Sequence, residues 1–172
     1  MCIRDRPLAV TRHATSKLEK AEDLFHIATL GFRGEALASI GSVSRLTITT
    51  CPPGEQTGAR LVVDAGQIFP VEQTSAAPGT VVRVEDLFLN VPARLKFLKK
   101  DTTERTQITG LVTRYALAYP TVRFKLTSDG APTLQTSGSG DRREILSNLY
   151  GLDTARQMLE VVAVEEDISL SG

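Results

Sequence analysis

The chain has 172 residues, 41% of them hydrophobic and 23% charged, which is typical of a globular protein with one domain or one domain and part of another. Twenty basic residues balance twenty acidic ones, so any nucleic-acid-binding surface must be a local cluster. The two cysteines lie far apart in the sequence, which argues against a disulfide scaffold. The chain has no apolar run of roughly 18 residues and no signal-peptide pattern, which argues against a membrane span. These features predict a cytoplasmic protein.

The N-terminal part of the chain predicts short elements around a glycine-rich turn. Residues 1–6 have no apolar periodicity and are interpreted as a foreign start. Residues 7–17 predict a short segment that leads into a loop. Apolar residues at helical spacing behind an acidic start predict a short amphipathic helix over residues 18–28. The segment Gly31–Ile40 then predicts a tight turn that leads directly into a helix.

The middle of the chain changes from helical to alternating periodicity. Apolar residues alternate with polar ones around Leu46–Ile48, Leu61–Val63 and Val82–Val84, which predicts half-buried strands. Turn residues such as Pro52, Pro53 and Gly54 separate them. Because short turns join consecutive strands, the predicted sheet is antiparallel.

Two helices follow in the prediction. Pro92 opens a short basic helix, and residues 101–119 form a longer helix that Pro120 ends. The predicted buried stripe of the longer helix comprises Ile108, Leu111, Val112, Tyr115 and Tyr119.

The remaining sequence predicts one strand, a domain boundary and a last helix. Val122, Phe124 and Leu126 alternate with basic residues and predict the strand. Residues 128–130 and 137–140 are rich in glycine and serine, as linkers are. A helix then ends near Gly151, and the chain finishes within a further strand.

The Gly31–Ile40 segment has the features of an anion site. The first turn of a helix carries unpaired N–H groups and a positive dipole end. Gly31 and Gly34 allow close backbone approach, and Arg33 adds a positive charge. The alternative is an ordinary helix start, in which Glu35 is present because acidic residues favour the first turn.

Thr15, Ser16 and Lys17 offer two hydroxyls and an ammonium group, which suit the oxygens of a triphosphate. The alternative is a helix cap, because Ser16 and Glu19 have capping-box spacing. The basic run of Arg94, Lys96, Lys99 and Lys100 is either a solvated face or a contact with the DNA phosphate backbone. His13 and His26 have no further ligand at metal spacing, and His13 is interpreted as structural.

Three separated blocks together resemble one family. Residues 12–18 (RHATSKL), 30–40 (LGFRGEALASI) and 79–98, which includes NVPARLKFL, resemble the MutL family of DNA mismatch-repair ATPases. The resemblance implies the α/β (α+β) two-layer sandwich of a GHKL-type ATPase domain with a mostly antiparallel sheet. It assigns residues 7–136 to this domain, including an ATP lid, and residues 137–172 to the beginning of a second α/β domain.

The resemblance also implies a ligand and the residues that bind it. The ligand is ATP with magnesium. The implied nucleotide-binding residues are Thr15, Ser16, Lys17, Gly31, Arg33, Gly34, Glu35, Ala36, Leu37 and Thr80. Glu35 is expected to use its main chain, with its carboxylate turned away or capping the helix, because a carboxylate repels phosphate. An alternative for Thr80 is a plain β-branched strand residue.

In the MutL family the water-activating glutamate, the magnesium-binding asparagine and the adenine-reading aspartate precede the first block. We therefore expect this chain to be a fragment that lacks ATPase turnover. The implied function is an ATP-binding switch that dimerises, contacts DNA without sequence preference, and links a MutS-type mismatch-recognition protein to repair. The rival interpretations are a non-catalytic interaction module and another GHKL-group ATPase.

Overall fold

The computed structural model describes residues 6–18, 20–27, 29–165 and 168–171. Residues 1–5, most of the predicted foreign start, and Glu19 of the predicted capping box lie outside this range. The chain divides into two compact units, Met1–Phe97 and Leu98–Gly172. Among the described residues, no helix combines the length and the apolar character needed to cross a membrane.

The first unit is a small helical segment followed by a sheet. In chain order its elements are α1 (Arg6–Ala9), a 3-10 helix (Ala21–Phe25), α2 (Ala36–Gly41), β1 (Arg45–Cys51), β2 (Thr57–Asp64), β3 (Gln67–Ile68), β4 (Glu72–Ser75), β5 (Gly79–Glu85) and α3 (Pro92–Leu95). The predicted strands and the helix that Pro92 opens are therefore confirmed.

Every strand pairing in this sheet is antiparallel, as the sequence predicted. The order is β3-β2-β1-β5, and β4 also pairs with β2. Strand β1 is central, and its register places Ile48 opposite Leu61 of β2 and Val82 of β5. The mixture of helices with this antiparallel sheet is the α/β (α+β) class that the sequence predicted.

The core of the first unit lies on one face of β1 and β2. Leu46, Ile48, Leu61 and Val63 are almost completely buried, and together with Val10 they form one apolar cluster. Leu37 and Ile40 of α2 pack against this cluster. Because alternate residues of a strand share a face, the period of two in the sequence produces this layer.

Strand β5 differs from the prediction in its burial. Val82 and Val84 lie opposite Ile48 and Leu46, yet both are exposed. The reason is that α2 and Val10 cover the apolar face of β1 and β2. Among the described residues of the first unit, none extends this apolar cluster across β5.

The helix predicted over residues 18–28 is wrong in length and type. The structure has a 3-10 helix over Ala21–Phe25, where the backbone N–H of Lys20 donates to Asp23 at 3.0 Å. The side chains of Phe25 and Ile27 are exposed. Short helices depend on tertiary packing for their stability, and these exposed side chains supply little of it.

The second unit contains α4 (Asp101–Ala118), β6 (Lys125–Ser128), β7 (Ala131–Gln135), α5 (Arg142–Tyr150), α6 (Leu152–Gln157), β8 (Val162–Glu165) and β9 (Ile168–Ser171). Helix α4 and the end of α5 before Gly151 agree with the prediction. The predicted buried stripe of α4 is wrong for Ile108, Leu111 and Tyr119, which are exposed. The helix contacts its unit through β6, β7 and α5 near the small buried residue Ala116.

The strand predicted from Val122 begins only at Lys125. The buried hydroxyl of Thr136 accepts the N–H of Phe124 at 2.9 Å and lies 3.3 Å from the Val122 carbonyl. The Thr136 hydroxyl therefore takes the place of a neighbouring strand as the hydrogen-bond partner of the Phe124 N–H and the Val122 carbonyl.

The first linker-like stretch is a hairpin turn. Asp129 and Gly130 connect β6 to β7 with φ values of +49° and +80°, which is the conformation that Asp-Gly favours in two-residue hairpins. Arg105 of α4 donates to both oxygens of the Asp129 carboxylate and to the Ser128 hydroxyl. This ion pair links the hairpin to α4.

The second linker-like stretch lies within the second unit. The hydroxyls of Ser137 and Ser139 both donate to Glu144 of α5, and Asp141 caps α5 by accepting the N–H of Arg143. The two compact units of the structure meet between Phe97 and Leu98, whereas the predicted domain boundary lies at residue 137. The assignment of residues 7–136 and 137–172 to two domains of the family stays a prediction.

We expect Ile48→Ala to lower the free energy of unfolding by about 2–5 kcal/mol, because it leaves a cavity in the first unit's core. Val81→Ala, on the exposed strand β5, is the control and should cost less than about 1 kcal/mol. Urea unfolding followed by circular dichroism measures both. Equal losses would contradict the assignment of the core to β1 and β2.

The Arg105–Asp129 pair predicts a pH dependence of stability. The hydrogen bond from Arg105, and then its charge, lower the pKa of Asp129. The pair therefore stabilises the fold fully above the pKa of an unfolded aspartate, about 4, and its contribution is lost as the pH falls through the lower pKa of the folded chain.

Asp129→Asn, which tolerates the same left-handed conformation, tests this dependence. Its melting temperature should lie below that of the parent chain above about pH 5. The difference should shrink below about pH 4. Arg105→Ala should remove the same pH-dependent part. A difference that does not change with pH would show that the pair makes no such contribution.

Candidate functional site

One cavity of the first unit collects nearly all of the predicted nucleotide-binding residues. It has a volume of about 480 Å³ and lies between two segments, residues 14–17 and 30–37, with Ala9 completing its lining. The predicted residues that line it are Thr15, Ser16, Lys17, Gly31, Arg33, Gly34, Glu35, Ala36 and Leu37. Two segments about twenty residues apart in sequence therefore meet at one site.

The two segments meet where Gly34 contacts Ala14. Gly34 has a φ of +63°, and a Cβ atom added to it would lie 2.3 Å from the carbonyl oxygen of Ala14. No side chain fits in that space, and L-residues rarely adopt that backbone conformation. Gly34 is thus required here for two independent reasons, the space beside Ala14 and the positive φ.

Helix α2 starts at the cavity. Its first residue is Ala36, and its first backbone bond runs from the Ser39 N–H to the Glu35 carbonyl. The N–H groups of the first turn have no partner within the helix, and the lining residues Ala36 and Leu37 belong to that turn. The glycine-rich turn and the helix start thus have the arrangement that the sequence predicted.

The Glu35 carboxylate does not cap α2, which was one of its two predicted positions. Its Oε1 lies 3.2 Å from Nδ1 of His13. His13, which the sequence analysis interpreted as structural, has a largely exposed side chain. The sequence carries no signal for this pair, because its members are 22 positions apart and neither lies in a periodic pattern.

The cavity lining carries two positive side chains and one negative side chain. Lys17 and Arg33 are exposed, and the Arg33 guanidinium lies 5.6 Å from the centre of the Phe32 ring. Thr15 uses its hydroxyl to accept the N–H of Lys17 at 3.1 Å, which makes a local turn. Glu35 is the single acidic residue of the lining that the structure describes.

A second cavity adjoins the first. Its volume is about 760 Å³, and it shares Ala9 and residues 14–17 with the first cavity while adding Leu8 and His13. The segment of residues 14–17 therefore borders open space in both cavities.

Thr80 does not line either cavity. It lies on β5 opposite Thr50 of β1, and the two hydroxyl oxygens are 2.9 Å apart. The structure gives Thr80 the position in a strand that the sequence predicted. Its role at a nucleotide stays a prediction.

The basic residues of the predicted DNA contact divide between the two units. Arg94 lies in α3, with its guanidinium 5.9 Å from the centre of the Phe88 ring, and Lys96 follows that helix. In the second unit, Lys99 precedes α4 and Lys100 is its N-terminal cap residue. All four side chains are exposed, and their role on DNA stays a prediction.

Within the described residues, no group of three or more His, Cys, Asp and Glu side chains is placed to hold a metal ion. Asn90, part of the NVPARLKFL block, has a structural contact instead. Its side-chain amide donates to the Ser42 carbonyl at 2.9 Å, just after α2.

Comparison with known proteins places these features in one family. No family model matches the chain. The DNA mismatch repair protein MutL of Streptococcus sanguinis (strain SK36) is 48% identical over 168 residues, which cover 98% of this chain and 26% of that protein. The chain thus spans about a quarter of the length of the curated relatives it matches.

Solved structures agree with the sequence comparison. The MutL ATPase domain of Aquifex aeolicus complexed with ADP is 34% identical and matches with a TM-score of 0.64, covering 84% of this chain and 55% of that one. The N-terminal domain of a DNA repair protein matches with a TM-score of 0.73 at 27% identity, covering 95% of this chain and 48% of that one.

The likeness in sequence extends over almost the whole chain. The structure has an antiparallel sheet, and the RHATSKL and GFRGEAL segments meet at one cavity. This chain belongs to the MutL family of DNA mismatch-repair proteins.

Proposed function

We propose that this chain supplies the phosphate-binding side of an ATP site in a DNA mismatch-repair protein. The observation that carries the proposal is the cavity of about 480 Å³ that residues 14–17 and 30–37 line together. A likeness to an ATPase domain complexed with ADP supports it. The phosphates would occupy this cavity, beside the first turn of α2.

The donor groups of the cavity suit phosphate oxygens. The N–H groups of the first helical turn and the glycine-rich turn supply hydrogen bonds and a positive dipole end. Lys17 and Arg33 supply charge, and the hydroxyls of Thr15 and Ser16 supply further polar contacts.

The same residues do not form a magnesium site. Magnesium prefers an octahedral set of oxygen ligands that includes carboxylates, whereas the single lining carboxylate, that of Glu35, lies against His13. The described residues bind and orient phosphates, and hydrolysis would need groups from elsewhere in the protein.

The proposed role is a conformational switch. Residues 15–34 would act as the ATP lid, because this segment borders open cavities and contains exposed apolar side chains. Bound γ-phosphate would order the segment. In the whole protein this ordering would favour homodimerisation and link a MutS-type partner to repair of DNA in the cytoplasm. Family membership supports the proposal of these whole-protein activities, and Thr80 is proposed as a further residue of the pocket.

Nucleotide binding tests the proposal in the complete gene product that contains this chain. We expect Lys17→Ala and Arg33→Ala each to weaken binding of a non-hydrolysable ATP analogue about tenfold or more, since hydrogen bonds between charged groups contribute about 1.5–3 kcal/mol. Arg60→Ala, at an exposed position on β2, is the matched control and should bind normally.

Hydrogen exchange on the same samples tests the lid. Amides of residues 15–34 should exchange more slowly with the analogue, while those of α4 should not change. A parent protein that binds no nucleotide would favour the interaction module instead. Binding with equal exchange in both states would remove the lid from the proposal.

We further propose that Arg94, Lys96, Lys99 and Lys100 bind the DNA backbone without sequence preference. The slope of log affinity against log salt changes by about 0.9 for each phosphate contact. Lys99→Glu combined with Lys100→Glu should therefore flatten the slope by about two units on every duplex sequence. The control pair is Lys125→Glu with Arg156→Glu, at exposed positions of the second unit. An unchanged slope would identify the basic cluster as a solvated face.

A further inference from the structure

Glu35 presents an electrostatic problem in the proposed phosphate site. It is the acidic member of a lining whose other charged residues are Lys17 and Arg33. A carboxylate within a few ångströms of a phosphate repels it by about 1 kcal/mol or more, depending on the local dielectric. A site of this composition therefore binds phosphate better when the Glu35 carboxylate is held away from the phosphates.

The structure provides the group that holds it. His13 Nδ1 lies 3.2 Å from Glu35 Oε1. Glu35 belongs to the lining segment of residues 30–37, and His13 directly precedes the lining segment of residues 14–17. An imidazole can donate this hydrogen bond whether it is neutral or protonated. His13 itself borders the second cavity and not the first, so the contact directs the carboxylate toward the boundary of the site.

The backbone around the pair explains its position. His13 has a φ of +63°, a left-handed conformation that is uncommon for residues other than glycine, although histidine is enriched among the exceptions. The next residue, Ala14, is the one that contacts Gly34. The His13–Glu35 contact therefore lies next to the contact between Ala14 and Gly34. The positive φ values of His13 and Gly34 restrict the backbone on both sides of it.

We propose that His13 is a positioning residue of this site, which holds the Glu35 carboxylate away from the bound phosphates. This inference rests on the proposed nucleotide function. It assigns His13 no contact with the nucleotide, and it makes the effect of His13 depend entirely on the presence of the Glu35 carboxylate.

A double-mutant cycle tests that dependence in the complete gene product, with ADP as the probe. Removing His13 frees the carboxylate to turn toward the phosphates, so His13→Ala should raise the dissociation constant about three- to fivefold. Glu35→Gln removes the charge and should bind ADP at least as tightly as the parent. The double variant should then bind like Glu35→Gln alone, because His13 has nothing left to hold.

Two further measurements separate this role from a general structural one. The effect of His13→Ala should shrink at about 1 M salt, because exposed charges are screened. His13→Asn, which keeps a donor and tolerates the left-handed backbone, should recover part of the affinity. Glu55→Gln, in an exposed turn remote from the lining residues, should have no effect, and circular dichroism verifies folding of every variant.

The outcomes are distinguishable. If the parent binds ADP and the effects of His13→Ala and Glu35→Gln simply add, or His13→Ala has no effect, the inference is wrong while the proposed function stands. If the parent does not bind ADP, the proposed function fails and the inference fails with it. Should His13→Ala not fold, the comparison of His13→Asn with and without Glu35→Gln tests the same dependence.

Discussion

The site depends on the contact between Gly34 and the carbonyl oxygen of Ala14. A Cβ atom at position 34 would lie 2.3 Å from that oxygen, which is far inside the contact distance of a non-bonded carbon and oxygen. The absence of a side chain lets residues 14–17 lie along the glycine-rich turn. Both cavities have residues 14–17 in their lining, so both depend on this approach.

The sheet holds one side of this contact in place. Leu37 and Ile40 pack α2 onto the apolar face of β1 and β2. Beyond the C-terminal end of α2, the Ser44 hydroxyl donates to the Ile40 carbonyl at 2.7 Å, and Asn90 donates to the Ser42 carbonyl. The helix is therefore fixed by its buried face and by its C-terminal end, and its first turn is left at the cavity. The rigid side of the site thus consists of α2 and the sheet.

The other side of the site is less firmly held. Ala14 contacts the rigid side at Gly34, and the preceding residue, His13, contacts it through Glu35. Residues 14–17 line both cavities. A segment with few buried apolar contacts can order on a ligand without disturbing the core. The proposed lid requires such a difference between the two sides, which follows from burial rather than from the identity of the lining residues.

Local patterns predicted the strands β1, β2 and β5, helix α4 and the place of the glycine-rich turn before α2, because periodicity and turn residues are local properties. Motif resemblance named nine of the residues that line the cavity, and it also named Thr80, which does not line it. The contacts between distant segments became visible only in the folded chain. Val82 carries the same alternating pattern as Ile48 but is exposed, since burial depends on which element covers a face. His13 pairs with Glu35 across 22 positions because the left-handed turn at His13 and the missing side chain of Gly34 bring two segments together, and no pattern of spacing encodes that geometry.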